Sequence, residues 1–135
     1  MAMVIDASIA AAWFLPDEKN SAADRILNEL RSKTGHVPAL FWFELRNLFL
    51  MAERRGRLKP GDALLSMAQL RGLPLRDEGA GGDAVILGIA AKHSLAAYDA
   101  SYLGLAVQLA LPLATADKTL ANAARLEGIT VLGAA

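Results

Sequence analysis

Apolar residues fall along this chain in two rhythms. Short unbroken runs read as strands: Met3-Val4-Ile5, Pro112-Leu113-Ala114-Thr115 and Ile129-Thr130-Val131-Leu132. Runs of that length without polar alternation fit strands covered on both faces, the habit of parallel sheets. Between them apolar residues recur every three or four positions, which is helical spacing. Ala7 to Leu15 predicts a short helix stopped at Pro16. Asn20 or Ser21 opens a second, with Ala22, Ala23, Ile26, Leu27 and Leu30 as its stripe and Gly35 as its stop. His36 to Ala39 reads as a short strand ending at Pro38, and Leu40 to Arg55 as a long helix. Pro60, at a first helical position, opens another helix to about Leu70. Leu73 to Leu75 fits a short edge strand and Arg76 to Gly82 a polar, glycine-rich loop. Asp83 caps a helix to about His93, a residue that reads as an ordinary helix end. Ala97 to Leu111 forms the next helix, and Lys118 to Glu127 the last, stopped by Gly128. Strands alternating with helices predict one α/β domain over residues 1–135, a three-layer fold with a mostly parallel central sheet of four to five strands.

The helix from Leu40 carries too much apolar surface for one stripe. Phe41, Trp42 and Phe43 are consecutive, so they point about 100° apart and cannot all face one core. Leu45, Leu48, Phe49, Leu50 and Met51 widen the coverage, which predicts burial on two sides, one against a partner or second subunit. The whole chain agrees: 54% of residues are hydrophobic and the mean hydropathy is +0.31, high for 135 residues.

Composition then removes several chemistries. There is no cysteine, hence no disulfide, thiolate zinc site or cysteine nucleophile. His36 and His93 lie far apart in the chain, which argues against a histidine metal cage. Lys plus Arg equals Asp plus Glu at 14 each, so no overall field attracts nucleic acid. A local patch or a metal ion would have to supply any such contact. Arg54, Arg55, Arg57 and Lys59 cluster at a helix end, where the dipole favours cations, and also offer a small phosphate-contacting patch. Ala7 to Leu15 lacks the basic start and cleavage site of a signal peptide, and Leu95 to Ala114 contains Asp99, Gln108 and Pro112. The expectation is a soluble cytoplasmic protein without a membrane span.

Four acids stand out by position. Asp6 and Asp117 directly follow apolar strands, at the edge where α/β sheets keep their sites. Glu44 and Asp99 sit on inward-facing parts of helices, Asp99 sharing a face with Tyr102, Leu103 and Ala106. Each has a plainer explanation: a helix cap for Asp6 and Asp117, a first-turn acid for Asp99, a surface position or a pairing with Arg46 for Glu44. If the four converge, their repulsion forbids full ionisation without a counter-cation. Carboxylates without Cys or His select a hard ion, Mg²⁺ or Mn²⁺ rather than zinc. At a phosphodiester such an ion lowers the pKa of a water and neutralises developing charge. Ser8 and Thr115 stand close enough in sequence to support a carboxylate, a water or a phosphate, or serve as turn and strand-end hydroxyls.

Val4-Ile5-Asp6-Ala7-Ser8, Glu44-Leu45-Arg46-Asn47, Tyr98-Asp99-Ala100-Ser101-Tyr102 and Thr115-Ala116-Asp117 together resemble the PIN domain. Their order and spacing, over nearly the whole chain, are similar to the VapC ribonuclease toxins in particular. The resemblance implies a parallel sheet flanked by helices and a Mg²⁺-dependent endoribonuclease, with Mn²⁺ as a substitute ion. Its acidic quartet falls on Asp6, Glu44, Asp99 and Asp117 as catalytic residues. Asp6, Asp99 and Asp117 would hold the metal, and Glu44 a second ion or the attacking water. The family's small polar residue falls on Thr115 and its Asn on Asn47; with Ser8 these would contact substrate or support the acids. The implied partners are RNA, a second copy of the chain, and a VapB-type antitoxin whose tail lies in a hydrophobic groove. Trp13-Phe14 and Phe41-Trp42-Phe43 are the residues such a groove would use. The rival readings are a PIN-type RNA-maturation nuclease without antitoxin, a phosphate-handling α/β domain of the receiver type, and a non-catalytic binding module whose acids are caps.

Overall fold

A computed structural model describes residues 2–133. Five strands form one sheet in the order β3-β2-β1-β4-β5, every neighbouring pair parallel. They are β1 (Ala2–Ile5), β2 (Thr34–Val37), β3 (Leu75–Asp77), β4 (Leu113–Ala114) and β5 (Val131–Leu132). Successive strands move outward from β1 to β3, and the chain then returns to the other side of β1 for β4 and β5. The order therefore reverses between β1 and β4, and such a reversal opens a crevice outside the carboxyl ends of the two strands. The main-chain ladder continues past them: Asp6 N–H donates to Ala114 O at 2.9 Å, and Thr115 N–H to Leu132 O at 2.9 Å.

The seven helices are α1 (Ala7–Phe14), α2 (Ser21–Glu29), α3 (Leu40–Arg54), α4 (Asp62–Arg71), α5 (Asp83–His93), α6 (Ala97–Leu109) and α7 (Lys118–Leu126). Right-handed crossovers put the helices before and after the reversal on opposite faces. Accordingly α1 packs on α2 and α3, and α3 on α4, while α6 packs on α5 and α7. Met3, Val4 and Ile5 of β1 and Leu113 and Ala114 of β4 are buried between these layers. Their burial on both faces is why they read as continuous apolar runs. Asn20 caps α2 by accepting from Ala22 N–H at 2.9 Å and Ala23 N–H at 3.2 Å. Among the described residues no helix is long and apolar enough to cross a membrane.

Several local expectations need correcting. Gly35 does not stop α2, which ends at Glu29; it lies inside β2. A Cβ there would stand 2.7 Å from both Ile5 Cδ1 and Leu75 Cδ2, so glycine is favoured by packing rather than by a cap. Pro60 is not the first residue of α4. Gly61, at φ +93°, turns the chain first and α4 starts at Asp62. Asp83 is in the first turn of α5 behind Gly82 and makes no capping bond. The third strand lies two residues later than expected, at the sheet edge. Arg57 is not a free phosphate ligand: it pairs with Asp17 at 2.8 Å and Glu18 at 2.5 Å, in the 3-10 turn after α1. His93 is more than a helix end, since its Nε2 lies 2.6 Å from Glu127 Oε2 and ties α5 to the end of α7.

The aromatic surplus is also resolved. Phe41 and Trp42 are buried, and Phe14 packs edge-on against Phe49 at 5.6 Å. Trp13 donates its indole N–H to Ala23 O at 2.8 Å. These rings serve the domain's own core, and Phe43 alone of the α3 triplet faces out.

Candidate active site

The crevice between β1 and β4 is closed at its base by a small hydroxyl network. Asp6 occupies the N-cap position of α1 in extended geometry, yet its side chain makes no capping bond. Its Oδ2 instead accepts from Ser8 Oγ at 2.7 Å and from Thr115 Oγ1 at 2.8 Å. Each hydroxyl also accepts from the turn after β4: Ala116 N–H reaches Ser8 Oγ at 3.0 Å, and Asp117 N–H reaches Thr115 Oγ1 at 3.0 Å. The start of α1 and the start of α7 are thereby joined through one carboxylate oxygen. Both hydroxyls have their single hydrogen committed to Asp6, so Oδ2 is held as a pure acceptor and Oδ1 is used by neither.

Asp117 does cap its helix. Oδ1 accepts from Thr119 N–H at 2.9 Å and from Leu120 N–H at 3.3 Å. Glu44, half-buried on α3, accepts at Oε1 from the hydroxyl of Tyr102, a fully buried residue of α6. Asp99, in the first turn of α6, is half-buried on the same helix. The alternative Glu44–Arg46 pairing does not form; the Arg46 guanidinium lies 4.9 Å from the centre of the Phe43 ring.

Electrostatics links all four acids. Burial pushes the Asp6 carboxyl above its ordinary range, the Ser8 and Thr115 hydroxyls oppose this, and the Asp99 and Asp117 charges add to it. Glu44 is raised by burial, against the Tyr102 bond, and further by Asp6 and Asp99. Asp99 is raised by burial and then by Asp117. Burial and then Glu44 also push the Tyr102 phenol well above its usual range, so it remains a hydrogen-bond donor. Among the described residues no three acidic or histidine side chains form a ready-made metal cage. The donor set still fits a Mg²⁺-type ion, which keeps several waters and takes one or two carboxylates plus phosphate oxygens rather than a protein cage.

Asp6 thus lies in the field of Asp99 and Asp117, Asp99 in that of Asp117, and Glu44 in that of Asp6 and Asp99, while Ser8 and Thr115 hold Asp6 by hydrogen bonds. Asn47 does not join that network. It lies on an open groove lined also by Leu40, Phe43, Glu44 and Tyr98. Sequence reasoning missed Tyr102 as the partner of Glu44. The available signal was a tyrosine on an apolar helix face, since a buried phenol usually finds an acceptor.

Comparisons with known proteins agree with this architecture. The family model described as PIN domain matches residues 3–126. Ribonuclease VapC3 of Pyrobaculum aerophilum is 31% identical over 130 residues, spanning 90% of this chain and 94% of that protein. The crystal structure of PAE2754 from Pyrobaculum aerophilum superposes with a TM-score of 0.74 at 21% identity, over 97% of this chain and 83% of that one. A toxin–antitoxin complex from Klebsiella pneumoniae contains a chain with a TM-score of 0.59 at 16% identity, covering 85% of this chain and 86% of that one. With the parallel sheet, the reversal between β1 and β4 and this family match in hand, the chain belongs to the PIN-domain family.

Proposed function

We propose that this protein is a divalent-metal-dependent endoribonuclease, using Mg²⁺ or Mn²⁺, and the toxin of a toxin–antitoxin pair. The observation that supports the reading is that Asp6, its Oδ2 fixed by Ser8 and Thr115, feels the charges of Asp99 and Asp117, while Asp99 feels Asp117 and Glu44 feels Asp6 and Asp99, with no cation among the groups that shift them. An uncompensated carboxylate cluster is unfavourable by itself and favourable around a cation. The relative named Ribonuclease VapC3 supports the nuclease assignment, and the fold-mate from a toxin–antitoxin complex supports the toxin role.

Bound there, a divalent cation would acidify a water and neutralise charge building on the phosphodiester oxygens. The chain's own part is positional. Asp6, Asp99 and Asp117 would hold the ion, with Ser8 and Thr115 fixing the Asp6 carboxylate through Oδ2. The capping bonds of Asp117 use Oδ1, so Oδ2 remains for a ligand. Tyr102 holds Glu44 by Oε1, leaving Oε2 to orient a second ion or the attacking water. An antitoxin segment would have room in a cavity of about 290 Å³ between α3 and α4, lined by Ala63, Leu64, Met67, Arg46 and Arg71. Leu64 is exposed there, which suits an apolar tail carrying acids. Exposed Leu48 and Leu50 of α3 supply further surface for a second copy. A cellular RNA substrate would place the activity in the cytoplasm.

The alternative, a binding module whose acids are caps, draws support from Asp117 only; Asp6 occupies a cap position without capping. The deciding experiment incubates a mixed RNA pool with the purified chain, freed of any antitoxin, in Mg²⁺, in Mn²⁺ and in EDTA, beside Asp6→Asn and Asp99→Asn. Cleavage that needs both the ion and the two acids is expected. Intact RNA in both metals with a folded protein would leave the binding module as the better reading.

A further inference from the structure

The chain has four Phe, two Trp and two Tyr. Phe41, Trp42, Phe49 and Tyr102 are buried, and Trp13 and Phe14 are packed against the core. The remaining two, Phe43 and Tyr98, are 61% and 66% exposed. They come from different helices, α3 and α6, and both line the same open groove of about 340 Å³ with Leu40, Glu44 and Asn47. Each immediately precedes a member of the acidic cluster: Phe43 precedes Glu44, and Tyr98 precedes Asp99. Successive helical residues point about 100° apart, so an acid turned toward the crevice leaves the preceding ring at its rim.

Resting on the nuclease reading, we infer that Phe43 and Tyr98 form a stacking platform for an unpaired RNA base beside the bond that is cut. The charge balance favours this occupant. With 14 cationic and 14 anionic side chains, the molecule lacks the field that draws a polyanion, and the crevice itself is acidic. A neutral protein that binds a single strand must draw on base stacking, which depends on a free π-face rather than on charge. Arg46 stacks on the Phe43 ring at 4.9 Å from its centre and would supply a cation for a neighbouring phosphate. The Asn47 amide on the same groove offers both a donor and an acceptor to a base edge. A base inside a duplex shows neither its face nor its pairing edge, so the platform selects single-stranded segments.

The test separates binding from cleavage. A short single-stranded RNA carrying 2-aminopurine is titrated in Mg²⁺ with Asp99→Asn protein, alone and combined with Phe43→Leu or Tyr98→Leu. Stacking predicts quenching on binding, a loss of roughly tenfold in affinity for each leucine variant, and recovery with Phe43→Tyr or Tyr98→Phe. In the cleaving protein the same leucine variants should raise KM for single strands with kcat little changed. Both sites are exposed, so melting temperatures should match the parent and confirm folding. Leucine variants that bind and quench like the parent overturn the inference and leave the nuclease reading standing. Variants that change the protein's mass in sedimentation, with RNA affinity unaltered, overturn it in favour of a protein interface. Aromatic-dependent binding by a chain that cleaves nothing would support the platform while refuting the nuclease reading.

Discussion

Thr115→Val removes one hydroxyl and keeps the shape of a residue that is 0% exposed. The lost group donates to Asp6 Oδ2 at 2.8 Å and accepts from Asp117 N–H at 3.0 Å. A hydrogen bond to a charged group contributes about 1.5–3 kcal/mol, and a stranded amide costs roughly 1 kcal/mol more, at the lower end because Asp117 is only half-buried. The expected loss is therefore about 3 kcal/mol, or on the order of 10 °C in melting temperature for a domain of this size. Thr115→Ser keeps both bonds and should lose only about 1 kcal/mol for the buried methyl. The sign with pH follows from Asp6. The Thr115 hydroxyl lowers the Asp6 pKa, so in the valine variant that pKa lies higher still. The gap between wild type and variant is then full at neutral pH and shrinks as pH falls through the range where folded Asp6 takes its proton. Differential scanning calorimetry of the three proteins between neutral and mildly acidic pH reads all of this. A valine variant melting within about 2 °C of wild type would show that the hydroxyl does not hold an ionised Asp6.

Burial raises Asp6, Glu44 and Asp99 above their ordinary range, so the folded state binds more protons and these groups add stability as pH falls from neutral. Metal-free protein should therefore gain melting temperature on mild acidification, until protonation of Asp17 and Glu127, both held low by their cationic partners, reverses the trend. Mg²⁺ should stabilise more at pH 8 than at pH 5, as thermal shift assays would read; equal shifts at both would argue that the carboxylates are not its ligands. Tyr102→Phe should lower stability by about 1 kcal/mol, Glu44 being able to turn to water, and should weaken Mg²⁺-dependent cleavage through the metal requirement; titration of activity against Mg²⁺ checks it. Gly35→Ala should cost about 1–3 kcal/mol in urea unfolding, because its Cβ meets Ile5 and Leu75 side chains at 2.7 Å in the middle of the sheet.

The apolar runs Met3-Val4-Ile5 and Leu113-Ala114 were enough to determine a parallel sheet, and the acid that follows each within a few residues marked a candidate position at its carboxyl end. Buried strands and cap-bounded helices are specified by neighbours in the sequence, and short-range patterns record them. The order of the four acids was equally legible. Sequence alone left Asp6 and Asp117 equivalent, each an acid at a helix start. The fold separated them: Asp117 caps α7, whereas Asp6 is drawn to Ser8 and to Thr115 from the far side of the β1–β4 reversal. It likewise moved Gly35 from a helix stop to a strand interior, through contacts with Ile5 and Leu75. It assigned Tyr102 to Glu44 and directed Trp13, Phe14, Phe41 and Trp42 inward, leaving Phe43 and Tyr98 at the rim. None of these choices is written in local periodicity. A side chain's partner is set by which strands and helices the chain's crossovers bring together, and that is decided only when distant segments pack.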